Sequence, residues 1–114
     1  MKTMPIAIIG AGPSGLSIAR ALANAQLPFV IYEKHRNTGG LWDIENEGSP
    51  MYESAHFISS KTLSGFPDFP MPDDYPDYPT RKQLCAYIQA FAKHFDLEKH
   101  IIFNTKIEKV ENFE

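Results

Sequence analysis

The sequence predicts an α/β fold, a doubly wound parallel sheet entered through a βαβ unit. Three observations predict it. A short apolar run, Pro5 to Ile9, leads straight into Gly10-Ala11-Gly12-Pro13-Ser14-Gly15. A helical apolar face follows the glycines. A second run rich in strand formers, Phe29 to Tyr32, then ends in Glu33. Strand, glycine turn, helix and strand within about thirty residues make a βαβ unit. Both runs are continuous rather than alternating, which is the pattern of buried parallel strands.

The helix after the glycines rests on Leu16, Ala19, Leu22 and Ala23, which share one face in a segment of good helix formers. Asn24 to Pro28 breaks it. The crossover between the two strands is expected to be right-handed. Asn37 to Pro50 holds Gly39-Gly40-Leu41-Trp42 and then an acidic, glycine-containing stretch, and Tyr52 to Leu63 fits neither the helical nor the strand template. Gly65 to Pro79 carries five of the nine prolines, interleaved with Phe66, Phe69, Tyr75 and Tyr78. Proline lacks the amide donor, so this segment is an extended loop, and its aromatics are expected to pack on the domain. Thr80-Arg81-Lys82-Gln83 reads as a capping box. Leu84, Tyr87, Ile88, Phe91, Ala92 and Phe95 follow as the stripe of a second, longer helix, with Lys93 and His94 in its last turn. Ile101 to Phe103 reads as a third strand. Thr105 to Val110 reads as the start of a half-exposed one. The sheet is therefore incomplete, with about three of the strands of a doubly wound fold.

Composition narrows the function classes. The chain has 114 residues, one domain at most, with 43% apolar and 22% charged residues, which argues against a disordered tail. The net charge is −3 and there is no basic stripe, which argues against a nucleic-acid partner. Cys85 is the single cysteine, so neither an intrachain disulfide nor a paired-cysteine zinc site can form. His35, His56, His94 and His100 show no metal-ligand spacing. Asp68, Asp73, Asp74 and Asp77 are separated by prolines and lack calcium-loop spacing, so they read as solvated loop charges. No run approaches the ~18 apolar residues of a membrane span, and the N-terminus lacks the signal-peptide pattern. A cytoplasmic protein without a membrane segment is expected.

The glycine turn carries the chemistry. Gly-x-Gly-x-x-Gly alone is weak, but here a strand precedes it and a helix follows. An acid, Glu33, ends the next strand about twenty positions on. Gly10 permits the tight turn, Gly12 lets backbone approach a pyrophosphate, and Gly15 lets helix and strand pack closely. Amides at the helix start, with the positive end of the helix dipole, would receive the phosphates. The Glu33 carboxylate would accept ribose hydroxyls and repel a 2′-phosphate, which disfavours NADP at this site. The blander alternative is a glycine turn that only tightens a βα corner, with Glu33 a solvated charge. These residues leave FAD and NAD undecided, since both contain the adenosine diphosphate half.

At Gly10-Ala-Gly-Pro-Ser-Gly15, Glu33-Lys34 and Gly39-Gly-Leu-Trp42 the sequence resembles the flavin-containing monooxygenase family. The resemblance continues through Phe66-Pro-Asp-Phe-Pro70, Tyr78-Pro-Thr-Arg-Lys-Gln83, Phe91-Ala-Lys-His-Phe95 and Ile102-Phe-Asn-Thr105, so it spans essentially the whole chain. It implies a Rossmann-like FAD-binding βαβ unit, with NADPH bound mainly through a second glycine motif outside this chain. It implies oxygenation of a small organic substrate, such as an amine or sulfide, through a C4a-hydroperoxyflavin. Carried over by position, Gly10, Ala11, Gly12, Pro13, Ser14 and Gly15 would hold the FAD pyrophosphate. Glu33 and Lys34 would lie at the adenosine ribose, and Gly40, Leu41 and Trp42 along the flavin side. Ser59, within Phe57 to Lys61, would lie near the isoalloxazine.

One departure lies at Ile58, where many members carry an asparagine beside the flavin. Isoleucine cannot make that amide's hydrogen bond, though Ser59 or His56 would be placed to substitute. Structural alternatives accompany the other candidates: Trp42 as a packing residue, His56 as a hydrogen-bonded structural histidine, Lys61 as an ordinary ion-pair partner, Cys85 as an inert thiol. Because the NADPH motif and the closure of the FAD domain are missing, residues 1–114 are expected to be the N-terminal part of a larger enzyme, inactive alone. The competing readings are a reductase or oxidase on the same fold, and a non-enzymatic dinucleotide-binding module or gene remnant that self-associates through its uncovered sheet edge.

Overall fold

The computed structural model of the chain describes residues 4–42, 65–67 and 69–111. The expectations for Tyr52 to Leu63, including His56, Ile58, Ser59 and Lys61, and for Asp68, lie outside them. Strand β1 (Ile6–Ile9) leads to helix α1 (Pro13–Asn24), then to strand β2 (Phe29–Tyr32) and a 3-10 turn at Gly40–Trp42. Helix α2 (Arg81–His94) follows the proline-rich loop, and strand β3 (Ile101–Ile102) follows a 3-10 turn at Glu98–His100. The sheet order is β1-β2-β3, and both pairings are parallel. Two βαβ crossovers in one direction place β2 centrally.

Register explains which face is buried. Ile8 pairs with Ile31, which pairs with Ile101, and all three are buried. Leu16 and Ala19 of α1 and Ile88, Phe91 and Ala92 of α2 join them in one core cluster, so both helices cover the same face. One residue along, Ile9, Tyr32 and Ile102 form the next row, and they point the other way. Ile9 is 60% and Ile102 47% exposed there. The expectation that both strands are buried therefore fails for β1, where only Ile8 is. The reason is that, among the described residues, β1 is an edge strand and helices cover one face of the sheet.

The second helix starts as its sequence requires. The Gln83 amide donates to the Thr80 hydroxyl at 3.1 Å, and the Thr80 amide donates to Gln83 Oε1 at 2.9 Å. This reciprocal cap is worth about 1 kcal/mol. Leu84, Tyr87, Ile88, Phe91 and Ala92 are buried along the predicted stripe, and Phe95 is half-buried. Arg20 of α1 lies 4.0 Å from the Phe95 ring centroid, a cation–π tie between the two helices.

The proline-rich segment is irregular and packs by its aromatics, as expected, except that Tyr78 is 56% exposed. Phe66 stacks on Phe91 at 3.8 Å, and Phe69 stacks on Tyr87 at 5.6 Å between centroids. Tyr87 holds the loop by its backbone. Its hydroxyl accepts from the Phe66 amide at 2.7 Å and donates to the Phe69 carbonyl. Burial pushes the Tyr87 phenol above its ordinary value. The Phe66 amide pulls it part of the way back, and Tyr75 nearby adds to the rise. The folded state therefore keeps the proton at a pH where the unfolded chain has lost it. That contribution is complete below about pH 10, the unfolded value, and is lost as pH climbs through the folded one. Tyr87→Phe should cost about 1–2 kcal/mol at neutral pH, because it strands the Phe66 amide and the Phe69 carbonyl. It should also flatten the loss of stability above pH 10, and urea melts across pH 7–11 check both.

Thr105 to Val110 forms no strand. The Asn104 amide reaches the His35 carbonyl at 2.9 Å, and the Thr105 amide reaches the Glu33 carbonyl at 2.8 Å. Asn104, at φ +55°, then bends the chain away. The apolar alternation is real, but among the described residues no neighbouring strand lies beside it, and strands form only in pairs.

Candidate functional site

The site lies where the carboxyl ends of β1 and β2 meet the start of α1. Gly10 leaves β1 at φ +99°, a conformation that side chains resist, and its amide donates to the Tyr32 carbonyl at 2.8 Å. Ala11 is fully buried. Gly12 is the N-cap of α1, Pro13 opens the helix, and no side chain caps it. The first amide bonded within the helix is Leu16, to the Gly12 carbonyl at 3.0 Å. Ser14 and Gly15 therefore have no acceptor within the helix, and Pro13 has no hydrogen to place. Ser14 is exposed. Gly15 sits so close to the turn that a Cβ would stand 2.0 Å from the Gly10 carbonyl oxygen.

Glu33 is 3% exposed. Its Oε1 accepts from the Ala11 amide at 2.7 Å, and its Oε2 accepts from the His35 amide at 2.8 Å. The acid is thus not a solvated strand-end charge but part of the glycine turn itself. The Ala11 amide is committed to the carboxylate, so the donors left for an anion are those of the first helical turn. Lys34, next in sequence, is exposed.

The second glycine pair closes on the first. Gly39 and Gly40 have φ of +124° and +59°. The Gly39 amide donates to the Ala11 carbonyl at 3.2 Å. The Gly40 Cα lies 3.6 Å from where a Gly12 Cβ would stand. Leu41 lies within the 3-10 turn. Trp42 is half-buried and packs against both core clusters, so its packing role is met. Gly10 to Gly15, Glu33 and Gly40 to Trp42 are thereby gathered around one turn, and Ser59 lies outside the described residues.

Sequence reasoning missed three contacts. The Thr38 carbonyl is held by Gln89 Nε2 at 2.9 Å, Gly39 bonds Ala11, and the His35 amide completes the Glu33 carboxylate. The Gly39 contact was open to discovery from the double glycine. The Gln89 contact spans 51 positions and leaves no local signal, whereas the His35 amide lies only two positions from Glu33, in the turn that follows β2. Among the described residues no group of acids, histidines and cysteine has metal-site geometry, and no helix is long and apolar enough to cross a membrane.

The flavin-binding monooxygenase-like family model matches residues 3–114. Human flavin-containing monooxygenase 3 is 42% identical over 109 residues, 92% of this chain and 20% of that protein. Human flavin-containing monooxygenase 1 is 39% identical over 106 residues, 90% of this chain and 20% of that protein. Among solved structures, a flavin-containing monooxygenase from Stenotrophomonas maltophilia superposes on all of this chain and 32% of its own, at TM-score 0.82 and 27% identity. The S-allyl-L-cysteine S-oxygenase of Allium sativum shares the fold at TM-score 0.77 and 23% identity, over 90% of this chain and 28% of its own. The chain thus spans about a fifth of the curated relatives it matches. A glycine turn carrying a buried glutamate, closed by a second glycine pair and matched from end to end by the family's model, leads to one assignment: the chain belongs to the flavin-binding monooxygenase-like family.

Proposed function

We propose that this chain binds the adenosine diphosphate half of FAD in the turn Gly10–Gly15, as the N-terminal part of a flavin-dependent, NADPH-using monooxygenase acting on small organic substrates. The observation that carries the reading is the Glu33 carboxylate, buried and fixed at the glycine turn by the Ala11 amide. The residues fit the ligand. Each carboxylate oxygen accepts one amide and keeps a further lone pair for a ribose hydroxyl. The Ser14 and Gly15 amides, at the positive end of the α1 dipole, suit a pyrophosphate. Bound there, flavin would supply the oxygen activation that the family's chemistry requires. The chain's own part is to fix the dinucleotide: Glu33 sets the sugar, the first turn of α1 sets the phosphates, and the Gly39–Gly40 turn bounds the groove. The exposed Ile9 and Ile102, which flank a half-buried Tyr32 in one row, support the reading of one portion of a larger sheet.

Titration with FAD tests the proposal. Quenching of flavin fluorescence at one equivalent and a raised melting temperature are expected, with ADP competing. NADP should compete far less well, because its 2′-phosphate meets the Glu33 carboxylate. A melting temperature and flavin emission that ignore added FAD would overturn the reading.

A further inference from the structure

We propose that Gln89, on α2, is a positioning residue for the dinucleotide groove. It would hold the Gly39–Gly40 turn against Gly12, beside the proposed FAD site. This rests on the FAD reading above. Gln89 reaches across 51 positions to hydrogen-bond the Thr38 carbonyl at 2.9 Å, and Thr38 is buried immediately before the glycine pair. From there an unbroken chain of contacts runs through the site. The Gly39 amide bonds the Ala11 carbonyl, and the Ala11 amide bonds the Glu33 carboxylate. The Gly40 backbone meanwhile lies against Gly12.

Two glycines at positive φ make this the least self-determined turn of the site, since glycine loses more backbone freedom on ordering than any other residue. Such a turn needs holding from outside. The buried stripe of α2 does not need Gln89, which is half-buried beside it. What the bond does is fix where the Thr38 carbonyl stands, and hence where Gly39 and Gly40 follow.

The test compares Gln89→Met, which keeps the volume and removes the donor, with Gln89→Lys, which restores a donor. Each is made in the full chain. Two readouts are taken: hydrogen exchange of the Gly39 amide without ligand, and FAD affinity by fluorescence quenching. In Gln89→Met, Gly39 exchange should quicken and FAD affinity should fall, each by roughly five- to tenfold, the factor that one hydrogen bond represents. Gln89→Lys should recover both readouts. Parent-like Gly39 exchange or affinity in Gln89→Met would overturn the proposal, and so would a Gln89→Lys variant that recovers neither readout. A parent chain that ignores FAD would instead strike the FAD reading, and is seen before any variant is compared.

Discussion

Glu33→Gln is expected to cost about 2 kcal/mol of stability and to lower FAD affinity by about a hundredfold. The stability loss follows from counting donors. The Ala11 and His35 amides both point at the carboxylate, one to each oxygen. An amide side chain has one oxygen and one NH2 group, so in either orientation one backbone N–H faces another donor. A donor left unsatisfied in a buried site costs about 1–3 kcal/mol, and Glu33 is only 3% exposed. The binding loss is added to that, because hydrogen bonds from ribose hydroxyls to an ionised acceptor are roughly twice as strong as neutral ones. A thermal melt and an FAD titration of the variant separate the two effects. A variant that melts like the parent would show that the carboxylate does not hold the glycine turn. One that melts lower but binds FAD as well as the parent would remove Glu33 from the ligand while leaving it in the fold.

What the sequence made legible was local. The capping box at Thr80 and Gln83, the stripe from Leu84 to Ala92 and the strand–glycine–helix corner are each fixed by neighbours within a few positions, and each appears as expected. Spacing alone brought Glu33 to the glycine turn, because a βαβ unit returns its second strand beside the first. The details of the site depend on longer reach. That the Ala11 amide is taken by the carboxylate, that Tyr87 grips the Phe66–Phe69 backbone and that Gln89 holds Thr38 are contacts across 18 to 51 positions. No periodicity encodes them. Two of the misreadings share one cause: Ile9 and the segment from Thr105 to Val110 have the composition of strand interiors. Whether such residues are buried or paired depends on what lies on the other side of the sheet, which the residues themselves do not state.

Gly15→Ala separates two physical effects of opposite sign. Helix propensity favours alanine over glycine by about 1 kcal/mol in a helix interior, so by that rule the variant gains stability. The packing of α1 on β1 predicts the reverse. The added Cβ would stand 2.0 Å from the Gly10 carbonyl oxygen, 3.1 Å from its carbon and 3.4 Å from Ile8 Cγ2. The first two are backbone atoms, and no side-chain rotation moves them. Relief requires lifting the start of α1 from the end of β1. That pulls on the turn in which Ala11 holds Glu33, so the strain spreads into the site. Overpacking of this kind costs about 3 kcal/mol, a large share of the roughly 5–15 kcal/mol that holds a small domain together. Gly12→Ala provides the control. There the Cβ meets the Gly40 Cα at 3.6 Å, an ordinary contact, and the backbone at φ −83° and ψ −173° suits any residue. Gly12→Ala should therefore melt close to the parent while weakening FAD, since the methyl occupies the space above the first turn of α1. If Gly15→Ala melts as high as the parent, α1 is not seated on β1 at the distance described, and the amides of Ser14 and Gly15 do not stand where a pyrophosphate would meet them.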